Sequence, residues 1–167
     1  MEKQLLGMSG VYFVAAELSR RGYIALATTR NIKGVDLIVQ NPRTGKSLGI
    51  EVKTRKYGGE KNELEILYQI TKASGHEILY EKLLEKRLKS HYIFVYFPSE
   101  DKPPRYFVVP KDELIELVKK NIKDYLESKK HRKTREELLK TEGIQGVRIK
   151  FLKEYEDKWE KILNLLE

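Results

Sequence analysis

Residues 34–54 read GVDLIVQ, then NPRTGK, then SLGIEVKT. Two short apolar runs rich in β-branched residues flank a loop with proline and glycine, which predicts an antiparallel hairpin. With a turn at residues 42–45, Asp36 lies opposite Glu51. The two-residue period of a strand then places Lys53 on the same face as both carboxylates. The other face is predicted to join the core through Leu37, Val39, Ile50 and Val52.

Two carboxylates that face each other across a hairpin destabilise it. Their repulsion costs up to roughly 1 kcal/mol in a directly opposed pair. A cation held between Asp36 and Glu51 would reverse the sign of that interaction. The pattern therefore predicts a metal site on this hairpin.

Asp36, then fourteen residues, then Glu51-Val52-Lys53 resembles the D…(D/E)-x-K signature of the PD-(D/E)XK nuclease superfamily. Val35 stands where many members carry proline. Glu17, on a predicted helix before the hairpin, resembles the extra acidic residue of several branches, archaeal Holliday-junction resolvases among them. The resemblance implies a restriction-endonuclease-like α/β fold, in which helices flank a mixed central sheet in the order α-β-β-β-α-β.

The resemblance also implies a role for each site residue. Asp36 and Glu51, with the backbone carbonyl of Val52, would hold Mg²⁺, with Mn²⁺ as the alternative metal. Lys53 would orient or deprotonate the attacking water, or stabilise the transition state. Glu17 would be an outer ligand or hold a second metal, and its alternative reading is a solvated helix glutamate.

Other residues near the hairpin are candidates for contact with nucleic acid. Asn31 and Lys33, just before the hairpin, suit either a phosphate contact or turn formation. After Lys53 the chain is basic, aromatic and glycine-rich, which indicates a substrate-contacting loop or a plain connector. Its candidate residues are Arg55, Lys56 and Tyr57. Gln69 is a candidate extra site residue by the resemblance, and a surface glutamine otherwise.

Composition favours one domain spanning residues 1–167, with a core of about 8–110 and a helical extension over about 111–167. The chain has no cysteine, which excludes disulfides and thiolate zinc sites. The net charge is +8, and residues 1–58 hold ten Lys/Arg against four Asp/Glu. That clustering around the acidic hairpin predicts a polyanionic partner, DNA. No signal peptide or membrane-spanning run is evident, so we expect a soluble cytoplasmic protein.

Hydrophobic periodicity predicts the remaining elements. Helices are expected over 8–21, with Ser9 as its cap, over 74–88, over 111–127, and as an amphipathic terminal helix over 155–166. Strands are expected over 23–29, 64–71, 92–97, 105–109 near a sheet edge, and 143–152. The basic run 129–135 suits either a solvated segment or a DNA contact. The terminal helix could pack on its own domain or form a homodimer contact.

These features together predict a Mg²⁺-dependent endodeoxyribonuclease of the repair, recombination or restriction type. The alternative is a non-catalytic nucleic-acid-binding or assembly module that keeps the fold. A third reading is an α/β protein of unrelated activity in which Asp36 and Glu51 point apart.

Overall fold

The computed structural model describes residues 3–29, 34–57, 63–69, 88–129, 144–148 and 151–167. Three helices fall in this part of the chain: α1 (Lys3–Arg20), α2 (Lys111–Lys129) and the short α3 (Glu160–Leu163). Its strands are β1 (Ile24–Ala27), β2 (Leu37–Gln40), β3 (Ser47–Lys56), β4 (Glu63–Gln69), β5 (His91–Phe97), β6 (Arg105–Val109) and β7 (Ile144–Arg148). Two 3₁₀ turns, Lys153–Tyr155 and Asn164–Leu166, flank α3.

The central sheet has five strands in the order β1-β2-β3-β5-β6. The β1–β2, β2–β3 and β5–β6 pairs are antiparallel, whereas β3 and β5 are parallel. This mixed sheet confirms the predicted α/β class. It also places β6 at an edge, as the proline after it predicted.

The hairpin has the predicted register, with Leu37 paired to Ile50 and Gln40 to Ser47. Two backbone hydrogen bonds close its turn. The Asn41 backbone N–H donates to the Lys46 carbonyl (3.0 Å), and the Gly45 N–H donates to the Asn41 carbonyl (2.9 Å). Gly45 has a φ of +73°, a conformation that glycine adopts without strain.

Each face of the sheet is covered by its own hydrophobic cluster. The α1 face holds the predicted core residues of the hairpin, packed with α1 and the C-terminal segment: Val14, Leu18, Leu37, Val39, Ile50, Val52, Ile93, Val95, Val108, Trp159 and Ile162. The α2 face holds Tyr92, Phe94, Phe107, Val109, Leu114, Ile115, Val118, Leu152 and Tyr155. One side of the hairpin therefore faces α1, and its other side belongs to the sheet face on which α2 packs.

Two predicted elements are placed differently in the structure. The strand predicted over 64–71 is present as β4, but it pairs with β7 in a separate two-stranded sheet. Helix α1 begins at Lys3, and Ser9 lies inside it, donating its hydroxyl to the Leu6 carbonyl (2.8 Å) instead of capping the start.

The helix predicted over 74–88 falls outside the described residues except for its last position, and of the basic run 129–135 the structure describes Lys129 alone.

The predicted terminal helix is broken into short turns. Asp157 has a φ of +53° and donates its backbone N–H to the Tyr106 carbonyl (2.9 Å), which ties the segment to β6 and interrupts the helix. The apolar side of the segment is nevertheless used, because Trp159, Ile162 and Leu166 are buried against the α1 face. The segment therefore packs on its own domain, the first of its two predicted roles.

Arg105 and Glu156 hold the same segment to β6. The guanidinium donates to both carboxylate oxygens, Nε to Oε1 at 2.6 Å and Nη2 to Oε2 at 2.8 Å. The hydrogen bond from Arg105 lowers the pKa of Glu156 below its ordinary 4.5. A carboxylate with a lowered pKa adds stability above its unfolded pKa, and that stability is lost as pH falls through its folded pKa.

We expect Glu156→Gln to reduce the free energy of unfolding by about 0.5–1 kcal/mol at pH 7, because the pair is partly exposed and screened. The difference from wild type should shrink as pH drops below 4.5. Urea unfolding at pH 7 and pH 3 measures it. Glu160→Gln is the control, since the Glu160–Lys158 contact is long (3.9 Å) and exposed. An equal deficit for Glu156→Gln at both pH values would contradict this account.

Among the helices that the structure describes, none is long and apolar enough to cross a membrane.

Candidate active site

Asp36 lies directly before β2, where the ladder between β2 and β3 ends. Its backbone N–H donates to the Ile50 carbonyl (2.8 Å), and its carbonyl accepts from the Thr28 N–H (3.0 Å). Its side-chain Oδ2 accepts the backbone N–H of Val52 at 2.8 Å. The β2–β3 pairing does not extend to Val52, so the Asp36 carboxylate accepts the hydrogen bond of this β3 N–H in place of a strand partner. This bond fixes Asp36 beside β3.

The same hydrogen bond indicates where the carbonyl of Val52 points. In a β-strand the N–H and C=O of one residue point toward the same edge. Because the Val52 N–H points toward Asp36, the Val52 carbonyl points to the same side of β3, where β2 no longer pairs with it. Asp36 and the Val52 carbonyl therefore lie at one open edge of β3.

Glu51 and Lys53 rise from β3 on the other face from Val52, as the two-residue period predicts. The Glu51 residue is only 9% exposed, and the Lys53 ammonium forms a close ion pair with its Oε1. The Lys53 side chain is 38% exposed, so its charged end reaches solvent. A nearly buried carboxylate needs such a partner, because an unpaired buried charge costs several kcal/mol.

Tyr92 completes this cluster, and the sequence did not single it out. It is the register partner of Glu51 in the parallel β3–β5 pair, so the two side chains leave the same face of the sheet. Burial first, and then the charges of Glu51 and Asp36, raise the pKa of Tyr92. The structure thereby places Lys53 and Tyr92 on the sheet face of Glu51, and it holds Asp36 at the neighbouring Val52 N–H.

The donor set fits a hard divalent cation. Mg²⁺ prefers oxygen ligands and keeps several of its waters, so one or two carboxylates suffice for a site. Within the described residues, no group of three or more His, Cys, Asp or Glu side chains could hold a metal. For a cation at this position, the available ligands are the carboxylates of Asp36 and Glu51 and the Val52 carbonyl, and water would complete its shell.

Glu17 does not join this cluster. Helix α1 packs on the sheet face that carries Ile50 and Val52, opposite the face of Glu51. The Glu17 carboxylate accepts from Arg20 Nη2 and Arg21 Nη2, each at 2.7 Å. The hydrogen bond from Arg20 is the main cause of its lowered pKa. The geometry thus gives Glu17 two arginine partners, Arg20 at the end of its own helix and Arg21 just after it, in place of the predicted outer-ligand position.

The predicted nucleic-acid contacts are placed only in part. Arg55, Lys56 and Tyr57 follow Lys53 along β3 and its end, with Lys56 and Tyr57 exposed. Tyr57 donates its backbone N–H to the Phe97 carbonyl (2.9 Å), and a hydrogen bond with Glu100 raises its pKa. Asn31 and Lys33 lie outside the described residues. For Gln69 the structure describes the backbone, which pairs with Ile144.

Comparison with known proteins gives a resemblance to a solved structure. No protein-family model and no curated protein sequence matches the chain. A solved structure of Hjc, a Holliday junction resolvase from the archaeal hyperthermophile Archaeoglobus fulgidus, is similar. It shares 21% identity at a TM-score of 0.30, over 58% of this chain and 74% of that chain. A similarity of this size does not carry function from one protein to the other.

Proposed function

We propose that this chain is a metal-dependent nuclease that hydrolyses phosphodiester bonds in DNA. The observation that carries the proposal is the junction of β2 and β3. There the Asp36 side chain accepts a hydrogen bond from the Val52 N–H. Glu51 and Lys53, the residues on either side of Val52, form an ion pair. An acidic pair with a lysine beside it, at an open sheet edge, combines the groups that phosphodiester hydrolysis needs.

Asp36, Glu51 and the Val52 carbonyl would hold Mg²⁺, with Mn²⁺ as the alternative metal. When bound, such a cation supplies charge neutralisation at the phosphate and lowers the pKa of a coordinated water. The Asp36–Val52 hydrogen bond keeps one carboxylate fixed in advance. Preorganisation of this kind avoids rearrangement during the reaction.

Lys53 is the proposed catalytic cation of the chain itself. Its ammonium contacts Glu51 while its flexible stem is partly exposed. It can therefore turn from Glu51 toward a phosphate oxygen or the attacking water. In that position it would stabilise the negative charge that develops on the phosphate in the transition state.

The charge distribution supports DNA as the substrate. Residues 1–58, the part of the sequence that contains the acidic pair, carry a surplus of six positive charges, and a positive field concentrates polyanions. Lys56 and Tyr57, exposed beyond Lys53 at the end of β3, are the proposed substrate contacts, together with Arg55. We expect Asn31 and Lys33 to add to this contact.

A cleavage panel tests the proposal: supercoiled plasmid, linear duplex, single strand and a four-way junction, each with Mg²⁺, Mn²⁺ or EDTA. We expect cutting of at least one substrate with metal and none in EDTA, and the preferred substrate then identifies the nuclease type. Binding to the panel without cutting would favour the non-catalytic nucleic-acid-binding module. If the protein neither binds nor cuts any substrate of the panel, both proposed functions are contradicted.

A further inference from the structure

Glu51 has two neighbours on its sheet face that differ in mobility. Lys53 is partly exposed, and its flexible side chain can leave the carboxylate. Tyr92 is only 6% exposed, and its ring stacks on Phe94 with centroids 6.0 Å apart and planes 22° apart. Tyr92 is therefore the fixed neighbour of Glu51, and Lys53 is the movable one.

Tyr92 lies between Glu51 and the hydrophobic core. Its register partners are Glu51 on β3 and Val109 on β6, so it stands between an acidic and an apolar neighbour. Its ring belongs to the cluster beneath α2, with Leu114 and Val118. A phenol combines an apolar body with a polar tip, which suits a boundary between a core and an ionic site.

The proposed mechanism leaves Glu51 in need of a second donor. While Lys53 turns toward the phosphate, Glu51 would keep the cation but lose the donor that orients its Oε1. A phenol hydroxyl is protonated at neutral pH and can donate a hydrogen bond. Groups that hydrogen-bond a metal-ligating carboxylate orient it and tune its affinity for the metal.

We propose that Tyr92 is a positioning residue that holds the Glu51 carboxylate in place for a divalent cation. This inference rests on the proposed nuclease function and extends it to a residue on a neighbouring strand. It concerns metal affinity rather than direct contact with substrate. Tyr92→Phe isolates the role, because it removes the hydroxyl and keeps the ring.

The test is calorimetric titration of Mn²⁺ into the wild type, Tyr92→Phe and a control, Tyr96→Phe. Tyr96 is on the same strand and face as Tyr92, but its register partner on β3 is Arg55 instead of Glu51. We expect Mn²⁺ to bind Tyr92→Phe about 10- to 100-fold more weakly than the wild type. Binding to Tyr96→Phe should be unchanged. Melting temperatures in EDTA show whether each variant is folded.

Equal Mn²⁺ affinity in wild type and Tyr92→Phe would overturn the role of Tyr92 and leave the nuclease proposal standing. No Mn²⁺ binding by the wild type would overturn both. Unfolding in urea with EDTA gives a metal-free check, using Tyr92→Phe, Glu51→Gln and the double variant. The hydroxyl deletion should lower the urea midpoint less in the Glu51→Gln background, whereas additive shifts would contradict a Tyr92–Glu51 interaction.

Discussion

Lys53→Ala is expected to slow DNA cleavage about 100- to 1000-fold while leaving the protein folded, since removal of one transition-state donor typically costs that much. The substitution removes the ammonium that contacts Glu51, on a side chain that is partly exposed to solvent. It takes away no core side chain, because Lys53 is partly exposed, but it leaves Glu51 without its ion pair, so a melting temperature in EDTA checks that the variant is folded. The measurement is the single-turnover cleavage rate on the preferred substrate with Mg²⁺.

Lys161→Ala is the matched control for this loss. Lys161 donates to both carboxylate oxygens of Glu113, at 3.0 and 2.7 Å, and its side chain is partly exposed like that of Lys53. This variant removes a comparable ion pair away from the site, so its cleavage rate should match the wild type. A Lys53→Ala protein that cuts at the wild-type rate would contradict the assigned role of Lys53.

Gly10→Ala is expected to destabilise the protein markedly. Helix α1 crosses β3 so closely at Gly10 that an added Cβ would overlap Thr54 Oγ1 and lie 3.0 Å from Thr54 Cβ and Cγ2. Rotating the Thr54 side chain moves Oγ1 but leaves its Cβ in place, so backbone must shift. Overpacking of this kind costs about 1–3 kcal/mol, which denaturant unfolding measures directly.

Gly7→Ala supplies the control on the same helix. No atom lies within 4 Å of a Cβ built at Gly7, so this variant should gain about 0.5–1 kcal/mol from the helix preference of alanine. Thr54→Ala should rescue part of the Gly10→Ala loss, because it removes the overlapping hydroxyl. That hydroxyl is buried and has no hydrogen-bond partner in the described part of the chain. Opposite signs for the two glycine variants would support the close α1–β3 packing, and equal gains would contradict it.

The hairpin could be predicted because its determinants are local. The period of two along residues 36–40 and 47–53 fixed which side chains enter the core, and the short turn fixed the register. The mixed α/β class followed from the order of the elements in the same way. Lys53 beside Glu51 is a direct consequence of that period.

Long-range placement was outside the reach of those local rules. The partner of Glu51 on β5 depends on a parallel pairing across about forty residues of chain, so nothing in the sequence set Tyr92 apart from its apolar neighbours. Glu17 fits the helical pattern in sequence, but α1 packs on the far face of the sheet and two arginines hold the carboxylate there. The β4–β7 pairing likewise joins segments whose local patterns predict strands without naming partners.

The central claim is that Asp36 and Glu51 hold a divalent cation at the junction of β2 and β3. Calorimetric titration of Mn²⁺ into the wild type and Asp36→Ala tests it most directly, with melting in EDTA to confirm that the variant folds. We predict saturable Mn²⁺ binding to the wild type and its loss in Asp36→Ala. Mn²⁺ binding of equal affinity by both proteins, or no binding by the wild type, would contradict the claim.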